Sequence, residues 1–335
     1  MSPLLEIRNL RTYFRTTAGV YRAADGVDLS LDPGRTLCLV GESGSGKSVT
    51  ALSVMRLVGV GGSIEPGSKI LFGGRNLACA SEAEMLKIRG HEIAMIFQEP
   101  STSLDPVYTV GYQIAEAVRA QAKPGQKVTR KAALQRAAEL MRLVGIAEPQ
   151  QRACDYPHQM SGGMLQRVMI AIALAGNPRL LIADEPTTAL DATIQAQILE
   201  LLKELQVKFG MAILMITHNF GVVAEMADDV AVMYAGRVVE RGSAASVFTA
   251  PQHPYTQALL RSVPVLGMTI EDLHAIPGSV PSPLGWPAGC RFAPRCQHAF
   301  ERCRLEQPPL TAAGTQESAC WLTIRSLDKA REVQH

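Results

Sequence analysis

"TLCLVGESGSGKSVTALSVMRLV", Thr36 to Val58, passes from an unbroken apolar run through a glycine-rich turn into helix-like periodicity. Its centre, Gly41 to Ser48, fits G-x-x-x-x-G-K-[ST] in the strand–turn–helix setting that the pattern requires. Glycines let backbone N–H groups turn inward around an anion, and the helix N-terminus behind them adds partial positive charge. Gly41, Glu42, Ser43, Gly44, Ser45, Gly46, Lys47, Ser48 and Val49 therefore form a candidate nucleotide-binding run. Lys47 is placed to reach the β- and γ-phosphates, and the Ser48 hydroxyl to hold Mg²⁺.

Working outward, "EIAMIFQ" (Glu92 to Gln98), "LLIADEP" (from Leu180) and "AILMITHN" (from Ala212) read as further buried strands. Helical patterns such as "KAALQRAAELMRLVGI" and "DATIQAQILELLKELQVKFG" lie between them. Buried strands alternating with helices predict an α/β fold with a mostly parallel sheet. Residues 99–160 carry almost no strand signal and read as an inserted helical lobe. After about Phe248 prolines and glycines crowd together ("AIPGSVPSPLGWPAGC") and cysteines appear, which predicts domains at 1–247 and 248–335.

The 335 residues are 47% hydrophobic and 19% charged, ample for a packed core. A formal net charge of +2 gives no strong field to draw nucleic acid or a membrane surface. The N-terminal "MSPLLEIRNLRTYF" lacks the apolar run of a signal peptide. The longest apolar stretch, "VMIAIALA" from Val168, is far short of the roughly 18 residues that suggest a membrane span. A cytosolic chain, or one held at a membrane through a partner, is expected.

A Mg²⁺–nucleotide site also needs a carboxylate at a nearby strand end. "LLIADE" supplies Asp184 for the metal, and Glu185 directly after it is placed to polarise the attacking water. "QMSGGMLQR" (Gln159 to Arg167) could be a capped helix start with Ser161 as N-cap. With "GESGSGKS" upstream, and "LLIADEPTTALD" and "ITHN" downstream, the order resembles the nucleotide-binding domain of ABC transporters from about Leu4 to Arg241. That resemblance implies an ATPase with a P-loop fold of the ABC type, including an N-terminal antiparallel β part. It makes Ser161, Gly162 and Gly163 the family signature that caps ATP held by a second subunit. It makes Gln98 a Mg²⁺-sensing residue, Asp191 a link across the dimer and His218 the γ-phosphate switch. It also calls for an aromatic residue stacked on adenine, for which Phe14 is the first candidate and Tyr13 and Tyr21 the alternatives. The sequence departs from the common signature at Met160 and Met164, where Leu and Gln are usual.

"MIFQEPSTSLDPVYTVGYQIAEA", "HPYTQALLRSVP" and the tail "PAGCRFAPRC" narrow the resemblance to ATP-binding subunits of dipeptide and oligopeptide importers. It implies a second, related ATPase subunit, two transmembrane permeases and an extracytoplasmic peptide-binding protein. Membrane contact through the permeases, a peripheral position on the cytoplasmic face and no nucleic-acid partner follow. An importer of nickel or another small solute is the alternative, and a soluble ABC ATPase acting on nucleic acid is a more distant one. A catalytically weak partner subunit is opposed by Glu185 and His218.

Cys290, Cys296, Cys303 and Cys320 remain. Disulfides are disfavoured in a reducing compartment. Zinc sites usually carry C-x-x-C pairs, which are absent from this stretch. A [4Fe–4S] cluster accepts looser spacing, and reduced thiols are the ordinary state of cytosolic cysteines. The importer resemblance favours the cluster, with Zn²⁺ as the alternative metal. Such a group would staple a loop-rich tail with little core.

Overall fold

The computed structural model describes residues 2–122, 127–262 and 276–332. In chain order its strands are β1 (Leu5–Thr16), β2 (Gly19–Leu31), β3 (Thr36–Val40), β4 (Gly62–Ile64), β5 (Lys69–Phe72), β6 (Arg75–Asn76) and β7 (Ile93–Ile96). They continue as β8 (Leu180–Asp184), β9 (Ala212–Thr217), β10 (Asp229–Tyr234), β11 (Arg237–Ser243), β12 (Thr311–Ala313) and β13 (Gln316–Ser318). The chain folds into two compact units, one of residues 1–31, 36–79 and 217–335, the other of residues 32–35 and 80–216.

In the first unit, β1 lies between β2 and β5 in an antiparallel sheet, with β6 beyond β5 and β4 also on β1. The long β1–β2 hairpin pairs Leu5 with Leu31 and Phe14 with Tyr21. Leu5, Ile7 and Leu10 turn inward, and the departure from strict alternation falls at Asn9, whose φ of 49° is left-handed. Asparagine tolerates that region better than most residues. A second sheet in this unit runs β3 parallel to β10, then β11, β13 and β12 antiparallel in turn. All five residues of β3 are buried, as a strand covered on both faces requires.

The second unit holds the parallel strands β7, β8 and β9, in register at Ile93–Leu180 and Leu180–Ala212. Each is buried through this pairing, and apolar except for Asp184 at the end of β8. Between β7 and β8 the described residues contain helices and no strand. Helix Arg130–Leu143 buries Ala133, Ala137, Leu140 and Met141, one stripe at helical spacing. Polar side chains start the helices: Thr109 before Val110–Ala120, Thr129 before Arg130–Leu143, and Ser81 with Glu84 as a capping box before Glu82–Ile88. Gly210, left-handed, ends Ala192–Phe209.

Regular structure returns beyond residue 248, where the sequence shows little periodicity. Helix Pro254–Arg261 follows β11, and the short β12–β13 hairpin extends the β11 edge at Glu240–Ser318 and Arg241–Glu317. The joint is a buried polar knot. The fully buried Glu240 carboxylate accepts the N–H groups of Gln252 (2.6 Å) and His253 (2.9 Å). His253 Nδ1 accepts the Tyr255 N–H at 3.0 Å, capping the helix.

Burial holds the His253 imidazole neutral, its pKa pulled down from 6.5 to about 3. The unfolded chain therefore takes up this proton below pH 6.5 while the folded chain does not, so stability falls as pH drops from 6.5 towards 3. Between pH 6.5 and 5 the loss amounts to about 2 kcal/mol from this residue alone. His253→Asn keeps a capping acceptor but cannot titrate. Urea denaturation at several pH values should show a shallower acid slope for the variant than for the wild-type chain.

Candidate functional site

The phosphate loop joins β3 to helix Lys47–Val54. Gly41, Gly44 and Gly46 have φ of 150°, 76° and 102°. Two of them are also enforced by packing: a Cβ on Gly41 would lie 2.1 Å from the Met233 carbonyl oxygen, and one on Gly46 2.2 Å from that of Ala23. Ser45 is fully buried and its carbonyl accepts the Gly236 N–H at 2.9 Å. The Lys47 ammonium rests on the carbonyl oxygens of Gly41 (2.8 Å) and Glu42 (3.0 Å). Ser48 and Val49 follow on the first turn of the helix.

In the other unit, Asp184 ends β8 and is buried. Glu185 adopts a left-handed φ of 48°, and its N–H donates to the Ile216 carbonyl at 2.9 Å. Its Oε2 accepts from Gln98 Nε2 at 3.0 Å and from Thr188 Oγ1 at 2.9 Å. Gln98 and Glu185, far apart in sequence, are thus brought into direct contact. Thr188 joins them although no sequence pattern singles it out.

Ser161 caps helix Gly162–Ala173, its Oγ accepting the Met164 N–H at 3.4 Å. Ser161 and Gly162 are exposed, and a Cβ on Gly163 would come within 2.6 Å of the Ile194 side chain. Asp191, also exposed, caps helix Ala192–Phe209 through a 3.0 Å bond from the Ile194 N–H. His218 is exposed just after β9. Phe14 packs edge-on to Tyr21 with ring centres 6.3 Å apart, while the Tyr13 hydroxyl donates to Asp25.

Sequence reading missed the residues that reach the loop from the C-terminal part. Arg295 makes a two-pronged pair with the Glu42 carboxylate, Nη1 to Oε2 at 2.7 Å and Nη2 to Oε1 at 3.0 Å. The buried Tyr255 hydroxyl accepts the Glu42 N–H at 2.9 Å. Arg291 pairs with Asp25 and lies over the Trp286 ring. The only local hint is that each arginine adjoins a cysteine, at Cys290-Arg291 and Arg295-Cys296.

Cys290, Cys296, Cys303 and Cys320 line one small cavity of about 20 Å³, with Phe292 and Trp321 among its walls. Burial raises the Cys290 thiol to about 11, with Cys320 and Cys303 adding to the shift. Among the described residues no three His, Cys, Asp or Glu side chains stand together at metal-holding distance. The four thiols nonetheless border the same small cavity.

Residues 24–188 match the ABC transporter family, and residues 239–303 the C-terminal region of oligopeptide/dipeptide transporters. The oligopeptide transport ATP-binding protein AppD of Bacillus subtilis is 54% identical over 92% of this chain and 93% of its own length. The dipeptide transport ATP-binding protein DppD of Escherichia coli is 50% identical over 95% of this chain and 96% of its own. The chain belongs to the ABC transporter ATP-binding family. It is an ATPase subunit with the P-loop fold of that family. Among solved structures, the ATP-binding cassette MJ0796, a dimer bound to ADP and phosphate, has a TM-score of 0.64 at 25% identity. That match covers 72% of this chain and 98% of the cassette. The cassette cbiO1 of Clostridium perfringens gives 0.62 at 25% identity, covering 75% of this chain and 92% of its own.

The two kinds of loop glycine should separate under mutation. Gly46→Ala combines a left-handed φ with a backbone overlap and should cost about 3 kcal/mol. Gly44→Ala, with open space around its Cβ, should cost about 1 kcal/mol. Urea unfolding of the two variants checks the order; equal losses would contradict the packing argument.

Proposed function

We propose that this chain is the ATP-hydrolysing subunit of an importer that carries di- and oligopeptides across the cytoplasmic membrane. The observation that carries this is the near full-length match to the oligopeptide and dipeptide transport proteins, in a chain whose phosphate loop is intact. No helix among the described residues is long and apolar enough to cross a membrane. The reading therefore gives the pore to two permease subunits and peptide delivery to an extracytoplasmic binding protein. A second, related ATPase completes the assembly, and this chain sits at the cytoplasmic membrane face.

Residues 1–247 form the ATPase domain in this reading, and 248–335 a C-terminal domain. The helical lobe, 99–160, receives the permeases. A groove of about 670 Å³ within it, lined by Tyr112, Leu134, Ala138 and Arg142 among others, supports that docking role.

Nucleotide binding begins with Lys47, which exchanges the neutral carbonyls of Gly41 and Glu42 for phosphate oxygens. Charge-assisted bonds favour the exchange. Residues 41–49 then surround the phosphates, and Phe14 stacks on adenine, with Tyr13 and Tyr21 as alternatives. Ser48, Asp184 and Gln98 offer the oxygen donors that Mg²⁺ prefers, and the bound ion neutralises phosphate charge. Glu185 takes a proton from the attacking water, its carboxylate oriented by Gln98 and Thr188. His218 contacts the γ-phosphate. Ser161, Gly162 and Gly163 cap the nucleotide held by the partner ATPase, and Asp191 links the two sites. The exposure of Ser161, Gly162 and Asp191 supports these contacts with a second chain.

The four cysteines around one cavity offer thiol chemistry suited to a [4Fe–4S] cluster or Zn²⁺, and such a group would tie the C-terminal loops together. Anaerobic purification followed by iron, sulfide and zinc analysis tests this. About four iron and four sulfide per chain are expected for the cluster; metal-free protein with four alkylatable thiols would overturn it.

For the assembled transporter, Glu185→Gln should slow phosphate release at least about a hundredfold while ATP stays bound. Lys47→Ala should abolish nucleotide binding. Turnover unaffected by Lys47→Ala would overturn the role of the loop lysine, and wild-type hydrolysis by Glu185→Gln that of the general base.

A further inference from the structure

The phosphate loop carries one acidic side chain, Glu42, where a strongly anionic ligand is to bind. Like charges within about 10 Å repel appreciably wherever water is partly excluded, so this carboxylate needs an account. Its surroundings give one. The Arg295 guanidinium, 5% exposed, meets both carboxylate oxygens. Arg295 is held in turn by the carbonyl oxygens of Pro277 (2.8 Å) and Ile276 (3.3 Å), and Nη1 donates to the Tyr234 hydroxyl at 3.4 Å. The Glu42 backbone is fixed independently, its N–H donating to Tyr255. Tyr234, Tyr255 and Phe292 pack their rings together with centres 4.5–5.3 Å apart, so both anchors share one buried support.

We infer that Arg295 is a positioning residue for ATP binding, neutralising Glu42 and fixing the first turn of the phosphate loop from the C-terminal part of the chain. The inference rests on the ATP-site reading above. It assigns to the C-terminal part a direct effect on nucleotide affinity at this chain's own loop. A bidentate arginine–carboxylate pair fixes orientation as well as charge, which a lysine at 295 would supply only in part.

A purely structural pair and a charge-neutralising pair give different signs. If Arg295 only supports the fold, Arg295→Gln and Glu42→Gln both weaken binding. If it neutralises Glu42, Arg295→Gln leaves an uncompensated anion in the loop, and Glu42→Gln an uncompensated cation beside it. Mg²⁺–ATP binding to the purified full chain is measured by calorimetry at low and high salt, with melting temperature recorded for each variant. Arg295→Gln should weaken ATP binding about tenfold and Glu42→Gln strengthen it about threefold. The double variant should return to within about twofold of wild type, and Arg295→Lys should lie between wild type and Arg295→Gln. Both single effects should persist at high salt, because the pair is largely buried and salt screens buried charge far less than exposed charge. Unchanged affinity in Arg295→Gln, or a double variant no better than Arg295→Gln, would overturn the inference. If Arg295→Gln does not fold, Glu42→Gln decides alone: tighter binding supports the inference, and equal or weaker binding overturns it. Lys47→Ala serves as the control, since persistent binding in that variant would overturn the ATP-site reading itself.

Discussion

Two carbonyl groups shape the phosphate loop. The Met233 and Ala23 oxygens occupy the places where side chains on Gly41 and Gly46 would begin. The loop backbone is therefore pressed against β10 on one side and β2 on the other. The Ser45 carbonyl closes the contact by accepting from Gly236 in the turn after β10. A glycine-rich loop in isolation is floppy, because glycine loses more freedom on folding than any other residue. The approach of two strands removes that freedom, leaving a backbone already curved for an anion before any anion arrives.

The C-terminal part adds charge to this backbone frame. Arg291 and Arg295 are both buried and both paired, with Asp25 and Glu42. Burial by itself would raise the Asp25 carboxyl, yet hydrogen bonds from Tyr13 and Arg291 and the nearby charge of Arg237 outweigh it and hold the group below its usual range. Arg291 shows the opposite balance, burial bringing it down to about 10. Buried ion pairs of this kind add little net stability, because desolvation offsets most of their attraction. Their contribution to the fold is geometric, each fixing one segment of the N-terminal half against one C-terminal loop, while the charge of Arg295 also offsets that of Glu42.

The division between what the sequence reveals and what it conceals follows the range of the interactions. Strands β3, β7, β8 and β9 are legible because complete burial demands apolar residues at successive positions, a purely local signal. Ser161 is legible as a helix start because a capping side chain acts within one turn, another local signal. The Glu42–Arg295 pair spans 253 positions and leaves no periodic trace. The β12–β13 hairpin is likewise hidden, since three-residue strands show no alternation and depend on the β11 edge for partners. The four cysteines stand out in the sequence by their density, but that they line one cavity is visible only in three dimensions. Tyr13 and Phe14 are adjacent on one strand, so motif spacing cannot choose between them; the Tyr13–Asp25 bond is visible only in three dimensions.

The two readings of Ser161, helix cap or phosphate contact, do not compete. Its Oγ accepts from Met164 N–H, and a hydroxyl that accepts still has a proton to donate. The departures from the common signature fall where they cost least. Met160 is buried, so an apolar side chain of leucine-like volume suffices there. At position 164 the cap uses the backbone N–H, which no change of side chain removes. Gly163 has no such latitude, because Ile194 of the following helix occupies the space a Cβ would need. The segment is thus fixed at its centre by packing and free at its ends, which is why methionine at both ends leaves the Ser-Gly-Gly geometry intact.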